Sequence, residues 1–292
     1  MCDSTLTFGQ RGSHFFQCPS KREHTRLPMK LARFLSNEQL KQVYHVTLGF
    51  EDSFLLTWRD TSGKDRVDAS GLPSELVEFI FARNRDVPKI RCCLGPYNES
   101  FFVHDGSSYL WKNLPQKLVS ALQNNIKDGG WTDPPRLVSL GADGNFLMLT
   151  GNNAAVWDLR NYKPLVKLLE KGSMSEVHSL ILHPYRFHTF LLQSKDGNLT
   201  HGNIPPHQLP GVQAMLDPIM NDTKDAQPKQ LTRRESGKTA GPQTRPSVLQ
   251  QRAQLRREWS DHSREFSAQA KGVKLSFSLS VNLGGGLARL LG

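Results

Sequence analysis

Two sets of residues in this chain are of types that do chemistry. His183, His188, His201 and His207 fall close together, and Cys2, His14, Cys18 and His24 form a second set near the first residue. Imidazole and thiolate hold zinc, but only at spacings that let three or four of them converge. The four histidines stand 5, 13 and 6 residues apart, which matches no helical metal motif, and the Cys/His set matches no common finger. They are expected to be scattered loop or strand histidines and reduced thiols on a loose terminus. Cys92 and Cys93 are neighbours, where a disulfide would be badly strained, and no C-x-x-C pair exists. Asp143 and Asp196 each precede glycine, which turn formation explains without any acid–base role. No Gly-x-Ser-x-Gly, His-Glu-x-x-His, Gly-x-Gly-x-x-Gly or EF-hand loop is found. The expectation is no catalytic residue, no metal, no cofactor and no enzyme.

The stronger candidates lie toward the end of the chain. Arg233 and Arg234 precede Ser236, which resembles the substrate motif of basophilic kinases such as the cyclic-AMP-dependent kinase. A phosphate on Ser236 would cancel part of the local positive charge. Residues 246–272 read as a helix: Ser247 caps it, Gln250 completes a capping box, and Gly272 stops it. Val248, Leu255, Trp259 and Phe266 share one face, with Arg252, Arg256, Arg257 and Arg264 around them. That face suits an acidic protein groove, nucleic-acid phosphates or an anionic membrane surface. Equally, it could pack back onto the rest of the chain.

Residues 273–292 alternate Leu275, Phe277, Leu279, Val281 and Leu283 with polar residues, as a half-buried strand does, before Gly284, Gly285 and Gly286. The strand could pair within its own chain, or with another chain, giving self-association.

Charge separates these ends from the middle. The net charge is +10, but residues 1–34 carry a balance of +4, 35–225 of −2, and 226–274 of +7. The expected organisation is a flexible basic arm (1–34), a β-repeat domain (35–220), a disordered linker (221–245), the basic helix (246–272) and the terminal strand (273–292). The linker has scarcely any large apolar residue and cannot bury enough surface to offset the entropy of ordering.

The repeat positions the rest. Leu48-Gly49, Leu94-Gly95 and Leu140-Gly141 recur at an interval of 46, with a weaker copy at Leu182-His183. Each pair leads into an apolar run (SFLLTW, SFFVHD, NFLMLT, TFLLQS), a Gly- or Asp-containing turn, and a third short strand. Trp58, Trp111 and Trp157 lie on these strands. Leu72-Pro73 and Leu114-Pro115 then open short helical patterns with Leu76, Phe79 and Ile80, and with Leu118, Leu122 and Ile126. Leu165, Leu168 and Leu169 repeat the pattern after Trp157, and Ile204-Pro205 closes the last copy. The fold class predicted is mainly β: about four repeats, each unable to hide its apolar face alone, stacked in a propeller-like array.

The period, the turn glycines and Trp157-Asp158 resemble a blade of a WD40-like β-propeller, over residues 40–206. The Gly-His opening is absent, and each copy reads as three strands and a helix. The chain also looks like fungal hypothetical proteins with this repeat. The resemblance implies a non-catalytic scaffold for protein partners, with the basic tail as a second binding element. The alternative is a nuclear or nucleic-acid-associated protein binding phosphates through that tail. No stretch approaches a transmembrane length, and the first residues lack a secretory apolar core, so the expected location is cytoplasmic or nuclear.

Overall fold

The computed structural model describes residues 2–226. The expected helix at 246–272, the strand at 273–292 and all but the first residues of the expected linker lie outside the described residues.

The chain is mainly β, with five three-stranded antiparallel sheets. Sheet one is β1 (Thr5–Phe8), β2 (His14–Gln17) and β3 (Arg22–Thr25). Sheet two is β4 (Leu40–Leu48), β5 (Phe54–Asp60) and β6 (Asp65–Ser70). Sheet three is β7 (Arg91–Leu94), β8 (Phe101–His104) and β9 (Tyr109–Lys112). After a small hairpin of β10 (Ile126–Lys127) and β11 (Gly130–Trp131), sheet four is β12 (Pro135–Leu140), β13 (Phe146–Thr150) and β14 (Ala155–Asp158). Sheet five is β15 (Val177–Leu182), β16 (Phe190–Ser194) and β17 (Leu199–Gly202). One helix follows each sheet: α1 (Met29–Leu35), α2 (Ser74–Phe81), α3 (Gln116–Asn124), α4 (Lys163–Lys171) and α5 (Leu209–Asp225).

The repeat therefore occurs five times among the described residues, not four. The extra copy lies in residues 1–34, expected as a flexible arm. Phe8-Gly9 stands where other copies read Leu-Gly, Phe15 and Phe16 form the apolar run, and Leu27-Pro28 leads into α1. Leu6, Phe8, Phe15 and Phe16 are buried, while Arg11, Arg26, Lys30 and Arg33 stay exposed. The basic charge sits on the outside of a folded sheet. Cys2 and Cys18, expected on a loose terminus, are free thiols buried in its core. At the other end, α5 runs past the expected domain boundary at 220, so 221–225 are helical.

Local chemistry accounts for the elements. Gly63, Gly106 and Gly197 take φ of +86°, +90° and +89° in the hairpin turns, where L-residues are strained. Pro28, Pro73 and Pro115 sit one position before α1, α2 and α3, where their carbonyls accept the first helical bonds and no N–H is needed. The repeat tryptophans are not equivalent: Trp58 is on the second strand of its sheet, Trp111 and Trp157 on third strands. Trp58 is buried and donates its indole N–H to Asp68 at 2.7 Å; the other two are half-buried.

Each helix fills the gap between two sheets. Leu31 of α1 packs with Phe15 of sheet one and Phe54 of sheet two. Leu76 and Ile80 of α2 join Leu55 to Phe101. Leu118 and Leu122 of α3 join Phe102 to Phe146, and Leu165 and Leu169 of α4 join Leu147 to Phe190. Val212, Met215 and Ile219 of α5 then join Leu191 and Leu199 of sheet five to Leu6 and Phe16 of sheet one. Each such side chain, fully buried, stabilises by roughly 1.5–3 kcal/mol.

Candidate functional site

The first strands lie side by side. Thr7 Oγ1 accepts from Leu48 N–H (3.2 Å), Thr47 Oγ1 donates to the Cys92 carbonyl (2.9 Å), and Ser139 Oγ accepts from Leu182 N–H (2.8 Å). Cys93 holds the equivalent position in sheet three and faces the Leu140 backbone. These residues stand two positions before Gly9, Gly49, Gly95 and Gly141. Each bonds within one residue of the matching position on the next first strand. Gly49 is bare because a Cβ there would come within 2.7 Å of Leu94 Cδ1 from sheet three.

Together β1, β4, β7, β12 and β15 surround a cavity of about 240 Å³. Its lining changes character along the strands. Asp3, His45, Arg91, His104, Arg136 and His178 line the part near the strand starts, and Leu48, Leu94, Leu140 and Leu182 the part near their ends. His104 lies directly opposite Arg91 in the β7–β8 pairing. Arg136 and His178 occupy positions skipped in the registers of β12–β13 and β15–β16. Such bulges re-aim a side chain that alternation would have turned away.

Electrostatics in the cavity follow from burial and two guanidinium groups. Burial, with Arg91 and His104 adding, lowers His45 to about 3. Burial and Arg91 lower His104 to about 4, and burial lowers His178. Burial raises Cys93 to about 12 and Cys92 well above the usual thiol value, so neither is a thiolate near neutral pH. The lining thus holds two fixed cations, three neutral imidazoles and one exposed carboxylate, Asp3. No nucleophile paired with a base is formed by these groups.

The strand ends carry a second feature, a face of turns. In all five sheets the turn after the first strand places a non-glycine residue in the left-handed region: Arg11, Glu51, Tyr97, Asp143 and His188, at φ of 58°, 53°, 57°, 56° and 62°. For a bulky aromatic this is a genuine outlier, costing on the order of 1–3 kcal/mol. Tyr97 is also 59% exposed. Its ring contacts Phe50 (centroids 5.0 Å) and Tyr185 (6.3 Å), bringing turns of sheets two, three and five together. Phe187 is 49% exposed on the sheet-five turn. Beside Tyr97 runs a groove of about 850 Å³, walled by Pro73, Pro96, Pro115, Lys112 and Asp143.

Of the residues singled out in the sequence, Gly49, Gly95 and Gly141 all lie at the ends of first strands, next to this face. Ser236 with Arg233 and Arg234, the apolar set Val248, Leu255, Trp259 and Phe266, and Arg252, Arg256, Arg257 and Arg264 all lie outside the described residues. His183 is buried against Phe8, His201 and His207 are exposed, and no group of His, Cys, Asp or Glu among the described residues converges to hold a metal. The cavity arginines and histidines were not singled out. Superposing the copies would have flagged His45 and Arg91, which share one repeat position.

No family model matches the chain, and no curated protein matches it. Among solved structures it is similar to the β-propeller domain of Myceliophteria thermophila Cps50 (Swd1), at 12% identity and a TM-score of 0.29, covering 66% of this chain and 80% of that chain.

Proposed function

We propose that the five sheets close into a five-bladed, WD40-like propeller that serves as a non-catalytic platform for protein partners. The closure is supported by the five first strands around one cavity and by the cluster joining sheet five to sheet one. One observation carries the platform reading: Tyr97, strained in backbone and exposed in side chain, stands beside a proline-walled groove. Exposed aromatics on rigid turns are the residues that dominate protein interfaces.

The tail beyond 226 is proposed as a second binding element, through the Trp259 face or through its arginines, with Ser236 as a phosphate acceptor that would weaken the latter. Its balance of +8 favours a second reading, sequence-independent binding to nucleic-acid phosphates in the cytoplasm or nucleus. Among the described residues no helix is long and apolar enough to cross a membrane.

The experiment is affinity capture with the full chain, a chain ending at 226 and a full-length Tyr97→Ala variant in parallel. A partner lost from the Tyr97 variant and kept by the shortened chain supports the platform. Partners unchanged by Tyr97→Ala refute it. Tail-dependent retention of DNA that does not weaken with salt refutes the second reading.

A further inference from the structure

We propose that the cavity between the five first strands is a binding site for a small oxyanion, a phosphate or carboxylate group held between the guanidinium groups of Arg91 and Arg136. This goes beyond the platform reading and uses the other end of the strands.

The first ground is unbalanced charge. Arg91 and Arg136 are half-buried, and a guanidinium drawn out of water is ordinarily paired; only Asp3 acts on Arg91, without an ion pair. Among the described residues the ion pairs are made by Arg59, Arg66, Arg85, Lys89, Lys112 and Arg160; Arg91 and Arg136 make none. Arg91 uses Nη1 on the carbonyls of Pro88 (2.8 Å) and Ile90 (2.9 Å), and its other nitrogens have no hydrogen-bond partner among the described residues. Arg136 uses Nη2 on Asn153 Oδ1 and the carbonyls of Met174 and Val177, while its buried Nε has no partner. Arg91 keeps its Nε–Nη2 edge free, and such a planar fork matches the oxygens of a carboxylate or phosphate, while Arg136 keeps only Nε and Nη1 as single donors.

Backbone irregularity is the second ground. Regular alternation from the end of β12 and of β15 would present Leu137 and Ser179 where β4 and β7 present His45 and Arg91. Leu137 and Ser179 do line the cavity, and at the bulges Arg136 and His178 line it beside them. Two independent departures from sheet geometry thus add a cation and an imidazole to the same space. Of the three imidazoles, His104 accepts from Gly106 N–H at Nδ1 and so offers its Nε2–H, while His45 Nε2 is engaged by Cys92 and Thr47, and His178 by the Cys2 backbone. The hydroxyls of Thr7, Thr47 and Ser139 are already engaged between strands and are not ligands. Asp3, exposed and unpaired with either arginine among the described residues, leaves the lining one positive charge in excess, which selects for an anion.

Size limits the ligand. The space of about 240 Å³ holds a phosphate or small dicarboxylate, given that a water's share of liquid is roughly 30 Å³.

The test is calorimetric titration of the full chain with inorganic phosphate and, separately, with succinate. One of the two binds, and Arg91→Gln weakens that binding at least roughly tenfold, the worth of a lost charge-assisted hydrogen bond, while Arg91→Lys recovers part of it. The arm that binds tells phosphate from carboxylate. Because the basic tail also attracts anions, the imidazole resonances of His45 and His104 are followed in the wild-type chain, and the same anion shifts both. This second readout decides if Arg91→Gln does not fold. The proposal is overturned if neither anion binds up to about 10 mM, if binding is unchanged in Arg91→Gln, or if it leaves both histidine signals in place. Tyr97→Ala leaves anion binding intact, so this proposal and the platform reading fail separately.

Discussion

Four of the five junctions between sheets are built alike, and the fifth is not. Between sheets one and two, two and three, and four and five, a small hydroxyl two positions before the turn bridges to the next strand, and Cys93 takes that place between three and four. At the junction of sheet five with sheet one the equivalent residue is Ile181, which cannot bridge. There His183 replaces the turn glycine and stacks on Phe8 at 4.9 Å. Buried Gln193 bonds Ser4 and Ser179. The long helix α5 and the residue before it reach across: Gln208 donates to the Ser13 carbonyl (3.1 Å), Thr223 to Cys2 Sγ (3.3 Å), and Asp222 accepts from Ser20. The repeat makes its junctions from within, whereas the place where the two ends of the array meet is made by residues that do not repeat.

The largest expected effect breaks that fifth junction. Met215→Asp or Ile219→Asp puts an unpaired charge where the wild-type side chain is fully buried. The loss should exceed about 4 kcal/mol, seen as absence of a cooperative transition in urea.

Next comes acid. Burial, then His24 and His207, hold His14 at about 4, and burial, Arg186 and His207 hold His183 at about 3, against an ordinary 6.5. The unfolded chain therefore takes up protons that the folded chain refuses. Stability is full above about pH 6.5 and falls as pH drops toward 4, by on the order of 3 kcal/mol for His14 alone. Since His45 and His104 add to the slope from other junctions, His14→Phe sharpens the comparison. Stacked on Phe16 like the imidazole it replaces, it should flatten the pH dependence of the melting temperature, and an unchanged slope would contradict the assignment.

An ordinary junction should give a smaller loss. Ser139→Ala leaves the buried Leu182 N–H without its acceptor and should cost about 1–3 kcal/mol in denaturant unfolding. Smallest is Tyr97→Asn, which tolerates the left-handed backbone better. Stability should change by less than about 1 kcal/mol even as partner capture is lost.

The regular junctions are the legible part of the sequence. Glycine is required at 49, 95 and 141 by close approach of neighbouring side chains, so Leu-Gly repeats visibly. The helical spacings place Leu76, Phe79, Ile80, Leu118, Leu122, Leu165 and Leu169 correctly in the core, while Ile126 falls in β10 and Leu168 is 39% exposed. The first sheet stayed hidden because Phe8 stands in for leucine and because basic charge on an exposed edge looks like an unfolded arm. Helix α5 stayed hidden because Gly211 and Pro218 discourage a helix. Its stripe of Val212, Met215 and Ile219 is fixed by packing against both ends of the array. The cavity was illegible for a different reason: which way Arg136 and His178 point is decided by bulges, and a period-two reading sends them elsewhere.

The central claim is that the first and last sheets meet. Ser4 and Gln193 are hydrogen-bonded across that junction, so a Ser4→Cys, Gln193→Cys chain should form an intrachain cross-link on mild oxidation under native conditions, found by peptide mass mapping and abolished in urea. If the native chain forms no such link while retaining its cooperative transition, the array is open and the closed platform is contradicted.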